Sequence, residues 1–231
     1  MKYRYDTHVH TSQVSSCAKN TGAELVDYYK INGYSGFIVT DHFVGSKNFL
    51  GKDEVSWQKK IESFSKGYLD AYKRGKETDF DVLFGLEYYY KGTEFIFLNL
   101  SIDQLVYGEE FLMSSDLCRV LEWVRKENGF VIHVHPFRVG RRLSTIRLIP
   151  DYTDAIEVFN GGNVFSWPDA NEYAQYYAKT RNFMVTSGSD LHDTSSLISG
   201  GMEFDYRIKN TVEFINALKN KEGKLIINTL F

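Results

Sequence analysis

The sequence predicts an α/β protein with a mainly parallel sheet, either open or closed into a barrel, and two observations carry that prediction. Short apolar runs of strand length alternate with segments of helical period along most of the chain, the pattern of right-handed βαβ units. All six histidines, His8, His10, His42, His133, His135 and His192, fall at or just past the C-terminal ends of expected strands. In parallel α/β folds that edge carries the active site, because its loops vary without disturbing the core.

The elements follow in order. Tyr3 to Val9 alternates as a strand, and Thr21 with Glu24 forms a capping-box pair that opens a helix whose buried face would be Leu25, Tyr28, Tyr29 and Ile31. "GFIVTDH" is a short apolar run bounded by Gly36 and Asp41, as expected for a strand buried on both faces. A long amphipathic helix is expected from about Glu54 to Lys76, then a strand "DVLFGLE", an excursion "TEFIFLNL" and a strand "QLVYG". Beyond these come a helix from Ser115 to Asn128, a strand "GFVIHVH", a strand "DAIEVFN" and a helix from Asp169 to Thr180. A strand "FMVTSGSD", a helix from Thr211 to Asn220 and a strand "KLIIN" complete the pattern. With three prolines and no Ser/Gly-rich or charged linker, residues 1–231 read as a single domain without internal repeats.

Composition excludes several classes of function. A chain of 231 residues with 43% hydrophobic and 25% charged residues is globular, and 27 basic against 30 acidic residues leave no global field to attract nucleic acid, only room for a local basic patch. The sixteen Tyr and seventeen Phe are spread along the chain, as expected for core and pocket walls rather than a single-strand-binding surface. Cys17 and Cys118 are too few for a disulfide scaffold and point to a reducing compartment. The N-terminus has no apolar signal region, and stretches such as "FIFLNL" fall short of the roughly 20 residues of a membrane span, so the protein is expected to be soluble and cytoplasmic.

The strand ends hold the chemistry. His8 and His10 sit at alternate strand positions, so both imidazoles can face one ion, and the same reasoning pairs His133 with His135. In "TDH", His42 is the candidate ligand and Asp41 is expected to orient an imidazole. Glu87 ends a run of Leu and Phe, where a carboxylate is costly unless it meets a cation. "GSDLHD" adds Asp190 and His192, a mixed oxygen and nitrogen set suited to Zn, Mn or Fe rather than Ca. Five clusters of ligands exceed the needs of one tetrahedral ion, so a multinuclear site is implied. Ser187 and Ser189 lack the G-x-S-x-G elbow of a nucleophile, no phosphate-binding glycine motif is present, and "FNGGN" reads as a plain loop.

The ordered motifs "DTHVHTS", "TDH", "GLE", "HVHPFR" and "GSDLHD" resemble the PHP family, the polymerase and histidinol phosphatase domain. The resemblance runs from Asp6 to about His192. It implies a distorted seven-stranded, TIM-like β/α barrel with two or three divalent metal ions, Zn, Mn or Fe, that hydrolyses phosphate esters. By matching position, His8, His10, Glu87 and Asp190 would hold a first metal, Glu87 would bridge to a second with His135, and His42 and His192 would hold a third. Cys17 stands where many members have Asp or His, as a thiolate ligand or a small buried thiol. Many members carry a His before a "V-L-G" strand end, where Leu105 stands here. His133 has no matched role beyond supporting its neighbours.

Arg138 is the candidate phosphate clamp, with Arg141 and Arg142 as alternatives, and Asp41 or His192 the candidate general acid. The expected substrate is a small phosphomonoester, as in histidinol-phosphatase-like enzymes. The alternatives are a phosphodiesterase or nuclease acting on short nucleic acids, and a metal-binding regulatory domain without turnover.

Overall fold

Strand β1 (Tyr3–Val9) is an interior strand of the sheet and is buried from Tyr5 to Val9. The computed structural model describes residues 2–43, 55–140 and 145–228. After β1 come α1 (Gly22–Ile31), β2 (Gly36–Val39), the two-residue β3 (His42–Phe43), α2 (Trp57–Phe64) and α3 (Lys66–Thr78). Next are β4 (Asp81–Tyr90), β5 (Thr93–Leu98), three helices α4 (Ile102–Tyr107), α5 (Glu109–Leu112) and α6 (Leu117–Lys126), and β6 (Phe130–His133). The chain then runs through β7 (Ala155–Asn160), α7 (Asn163–Ser166), α8 (Pro168–Arg181), β8 (Met184–Gly188), β9 (Gly200–Phe204), α9 (Thr211–Lys219) and β10 (Lys224–Ile227).

The sheet order is β10-β9-β1-β2-β4-β5-β6-β7-β8, with β3 paired to β4. It curls until β8 returns to β1: Val9 bridges Leu191 in parallel, His10 N donates to the Leu191 carbonyl, and Thr7 Oγ1 donates to the Ser187 carbonyl. Seven strands thus form a nearly closed barrel, as the resemblance implied. β9 and β10 add an antiparallel pair on the N-terminal half of β1. β5 runs antiparallel to both β4 and β6, which is the main distortion of the barrel.

Apolar side chains from successive strands, Tyr5, Ile38, Leu83, Ile96, Ile132 and Ala155, pack together inside the barrel. Each large side chain so buried contributes about 1.5–3 kcal/mol, and this interior supports a rim of acids and imidazoles that would not hold itself together. Asp6 helps seat that rim. Its Oδ1 accepts from the backbone N–H of His8 and of Ser189, and its Oδ2 accepts from Tyr29 OH at 2.7 Å.

Several expectations are corrected. "QLVYG" is not a strand but the body of α4, because Ser101 and Gln104 form a reciprocal capping box and Leu105 packs into the core. The "TEFIFLNL" excursion is instead a full member of the sheet, β5. The expected long helix is two helices meeting at Ser65, whose Oγ donates back to the Ile61 carbonyl at 2.8 Å. Its expected start at Glu54 lies outside the described residues. At the break, Gly67 lies so close to Thr11 and Asp41 that a Cβ would fall 1.9 Å from Thr11 Oγ1. On α1 the buried face is Leu25, Val26 and Tyr29, while Ile31 is 85% exposed. β9 had no counterpart in the expected pattern, its two leading glycines masking the strand signal. Among the described residues, no helix is long and apolar enough to cross a membrane.

Candidate metal centre

His8 and His10 leave β1 on the same side, as alternation requires, and both are fully buried. His8 Nδ1 lies 2.8 Å from Glu157 Oε1, and His10 Nδ1 lies 3.3 Å from Ser15 Oγ. Each outer nitrogen, Nε2, is thereby turned toward one common space. Neither Nε2 has a hydrogen-bond partner among the described residues. His8 Nε2 stands 3.2 Å from Glu87 Oε1, and His10 Nε2 stands 3.2 Å from Asp190 Oδ1.

Glu87 comes from β4, where the parallel pairing of β3 sets His42 directly beside it. His42 Nδ1 is 2.5 Å from Glu87 Oε2, and His135 Nε2 is 3.1 Å from Glu87 Oε1. Asp190 and His135 reach the same space from loops whose backbones turn through positive φ, 55° and 31°. His192 Nδ1 bonds the Asp190 carbonyl at 2.9 Å. The donors fall into four overlapping groups, each with its ligand atoms within 4.8 Å of one another: His8, Glu87 and His135; His8, His10 and Asp190; His10, His42 and His192; and His42, Glu87 and Glu94. Buried, unpartnered imidazole nitrogens facing two carboxylates fit divalent metal ions.

The charges are tightly coupled. Burial opposes ionisation of Glu87, but the positive field of His42 and His8 overcomes it and holds the carboxyl well below the usual range. Burial likewise opposes the Asp190 carboxylate, which His8 and Arg138 hold well below the usual range. His10 goes the other way: burial, then His192 and His42, lower its imidazole and leave Nε2 a free electron pair. Burial disfavours the thiolate of Cys17, yet hydrogen bonds with His192 and His42 bring that thiol down to about 6.

A cavity of about 340 Å³ opens over this cluster, with Glu94, Arg138, Trp167 and Cys17 in its walls. Arg138 is firmly held: Nε donates to Asn163 Oδ1 at 2.6 Å, and Nη2 donates to Asp190 Oδ2 at 2.8 Å and to Asn160 Oδ1. Its guanidinium also lies over the Trp167 ring, 5.4 Å from the centroid. The "FNGGN" segment is therefore more than a loop, since Asn160 and Asn163 position this arginine.

The structure brings His8, His10, His42, Glu87, His135, Asp190 and His192 together, with Cys17 exposed at the rim. It does not bring Asp41 to the cavity. That carboxylate is buried behind His10, accepting from Thr11 N, Thr11 Oγ1 and Ser15 Oγ at 2.6 to 2.7 Å. It acts on the imidazole only through Ser15 and cannot reach a leaving group. Leu105 lies on α4, where its carbonyl accepts from Trp57 Nε1, and has no place in the cluster. Arg141 and Arg142 lie outside the described residues.

His133 does not share the direction of His135, because β6 ends at His133 and the backbone turns before His135. It stacks on Phe95 at 4.6 Å, with Nε2 2.9 Å from Thr93 Oγ1. Burial, aided by the charge of His135, lowers its pKa to about 3. The unfolded chain therefore takes up a proton near pH 6.5 that the folded chain refuses until about pH 3, so stability falls as pH drops through that window. His133→Phe is expected to flatten this acid limb by up to about 1.4 kcal/mol per pH unit, read by urea unfolding of metal-free protein between pH 7 and 4. An unchanged slope would show that His133 is not held neutral.

Two carboxylates were missed. Glu157, on β7, accepts from His8 Nδ1–H and, through Oε2, from His135 N at 3.0 Å. Glu94, on β5, places Oε2 3.5 Å from His135 Nε2. The signal for both was the one that singled out Glu87, an acid inside a strongly apolar strand.

No protein-family model matches the sequence, and no curated protein matches it. Solved structures do. A two-domain protein of Bacteroides vulgatus containing a predicted PHP-like metal-dependent phosphoesterase superposes with a TM-score of 0.71 at 14% identity, over 99% of this chain and 65% of that one. This chain thus spans just under two thirds of that protein. A Bifidobacterium adolescentis protein assigned as a metal-dependent phosphoesterase gives 0.56 at 15% identity, over 93% and 95% of the two chains. An amidohydrolase of Chromobacterium violaceum, solved with sulfate and no metal, gives 0.57 at 14% identity, over 96% and 97%. The chain has the fold of the PHP-like proteins, in agreement with the resemblance its motifs carry.

Proposed function

We propose that the protein is a metal-dependent phosphoesterase of the PHP type, acting as a single domain on small phosphomonoesters. The observation that carries this reading is the pair of buried, unpartnered Nε2 atoms of His8 and His10, converging with Glu87 and Asp190 beneath a cavity walled by an arginine. His8, His10, Glu87 and Asp190 would hold a first divalent ion, Glu87 and His135 a second, and His42, His192 and Cys17 a third. The chemistry that such ions supply is acidification of a water and neutralisation of phosphoryl charge during in-line displacement.

The remaining work falls to the chain's own groups. Arg138 presents a guanidinium on the cavity wall to orient a phosphoryl group, fixed in place by Asn160, Asn163 and Asp190. His192 has Nδ1 committed to the Asp190 carbonyl, so one ring nitrogen is left for the cavity. Ligation and proton donation exclude one another at that atom. Protonation of the leaving group by His192 therefore belongs to a two-metal state, and ligation to a three-metal state. The cavity volume sits at the lower end of small-molecule sites, which favours a compact monoester over an oligonucleotide.

The test is phosphate release from a panel of sugar, amino-alcohol and nucleotide monoesters, beside cleavage of short oligonucleotides and a diester reporter, in protein reconstituted with Zn, Mn or Fe. Monoester turnover is expected. Activity confined to diesters would overturn the substrate class, and none with any metal would overturn the enzyme. Arg138→Lys keeps the charge but loses the planar fork, so KM for a monoester is expected to rise about tenfold with kcat little changed. An unaltered KM would remove Arg138 from the binding role.

A further inference from the structure

The two sides of the cluster differ in chemical softness. On one side, Cys17 lines the cavity together with His42 and His192, and both of those rings lie 4.3 Å from that of His10, centroid to centroid. His10 Nε2, fully buried and without a hydrogen-bond partner among the described residues, points into this group. On the other side, Glu94 joins Glu87 and His42 with ligand atoms within 4.8 Å, and its Oε2 approaches His135 Nε2 at 3.5 Å. One side is thus thiol and imidazole, and the other has two carboxylates.

Resting on the metal-dependent reading above, we infer that this cluster sorts its metals: Cys17 with His42 and His192 selects zinc, while Glu94 with Glu87 and His135 selects a harder ion, Mn or Fe(II). Thiolate and imidazole favour zinc, whereas carboxylates suit manganese and ferrous iron. Zinc outcompetes both at most mixed nitrogen and oxygen sites, so a second carboxylate is what narrows its advantage on the Glu94 side. Glu94 is thereby a ligand in its own right. It enters the cluster from β5, the one reversed strand of the barrel, at the edge where the parallel strands end.

The experiment is metal analysis by mass spectrometry of untagged protein purified without chelator, and of metal-free protein refilled from an equimolar mixture of Zn and Mn. Wild type is expected to hold both metals. Cys17→Ser is expected to lose about one equivalent of zinc and keep manganese. Glu94→Gln should lose manganese and keep zinc, and Glu94→His should exchange manganese for zinc. A second readout is independent of turnover: the cobalt-substituted protein should show a near-ultraviolet thiolate-to-cobalt charge-transfer band that Cys17→Ser abolishes.

Melting curves of the metal-free variants show whether each still folds, and the cobalt band of wild type serves if one does not. A single metal in every position, a ratio unchanged in both Cys17→Ser and Glu94→Gln, or a cobalt form without the thiolate band would overturn the inference. Sorted metals without phosphoester turnover would overturn the proposed function and leave this inference standing. Turnover with one kind of metal throughout would do the reverse.

Discussion

Glu87→Gln is expected to remove phosphoesterase activity by more than the roughly 10–100-fold that loss of an outer partner costs a metal site, and to lower bound metal by at least one equivalent. The reason is geometric. Glu87 is the residue on which the groups converge, with Oε1 3.2 Å from His8 Nε2 and 3.1 Å from His135 Nε2, and Oε2 2.5 Å from His42 Nδ1. The glutamine keeps the shape and removes the charge, leaving three imidazoles and any bound cations without their shared counter-ion. An amide also presents an N–H₂ where a lone pair is needed, so no rotation restores two oxygen contacts. Metal content after dialysis, phosphate release and a melting curve are to be measured together. A folded variant with full metal and full activity would remove Glu87 from the centre of the site.

The groups that make this centre were readable in the sequence to the extent that they lie at the C-terminal ends of parallel strands. His8, His10, His42, Asp190 and His192 obey that rule without tertiary information, whereas Glu87 sits within β4, three residues before its end, because β4 runs on to Tyr90 in its pairing with β5. Glu94 escapes it because β5 runs antiparallel to its neighbours, with Glu94 opposite Tyr89, so the beginning of this strand lies at the edge where the others end. Strand direction is a property of the assembled sheet and leaves no mark on "TEFIFL". With that segment taken as an excursion, the place where many PHP members carry a histidine is matched to Leu105, further along the chain. There, a five-residue apolar run could not distinguish strand from helix, and the Ser101 and Gln104 capping box decided in favour of helix. His133 differs from expectation for a similar reason: alternation holds only while the strand lasts, and β6 ends at His133 itself, two residues before His135, so the two do not share a face.

Glu157→Gln should weaken metal binding and activity by roughly 10–100-fold while the fold survives, the magnitude that carboxylates behind metal-ligating histidines contribute elsewhere. Its Oε1 accepts the Nδ1 proton of His8 at 2.8 Å and so fixes the ring with Nε2 facing the metal side. Its Oε2 accepts from the backbone N–H of His135 and from Asn160 Nδ2 at 2.9 Å, so one side chain fixes a histidine, the turn carrying another, and the asparagine that holds Arg138. Glu157→Ala removes those acceptors as well, and stability is expected to fall by about 1–3 kcal/mol for each donor left buried and unpaired. The contrast separates the two contributions: the glutamine variant should lose metal affinity with little change in melting, and the alanine variant should lose both. Gly188 provides an independent check, because a Cβ there would fall 2.5 Å from His8 Cβ and 2.8 Å from Glu157 Oε1. Gly188→Ala must therefore part His8 from Glu157 without altering either residue, and weakened metal binding like that of Glu157→Gln is the expected result. Unchanged metal affinity in both variants would mean that His8 needs no partner at Nδ1 to serve the site.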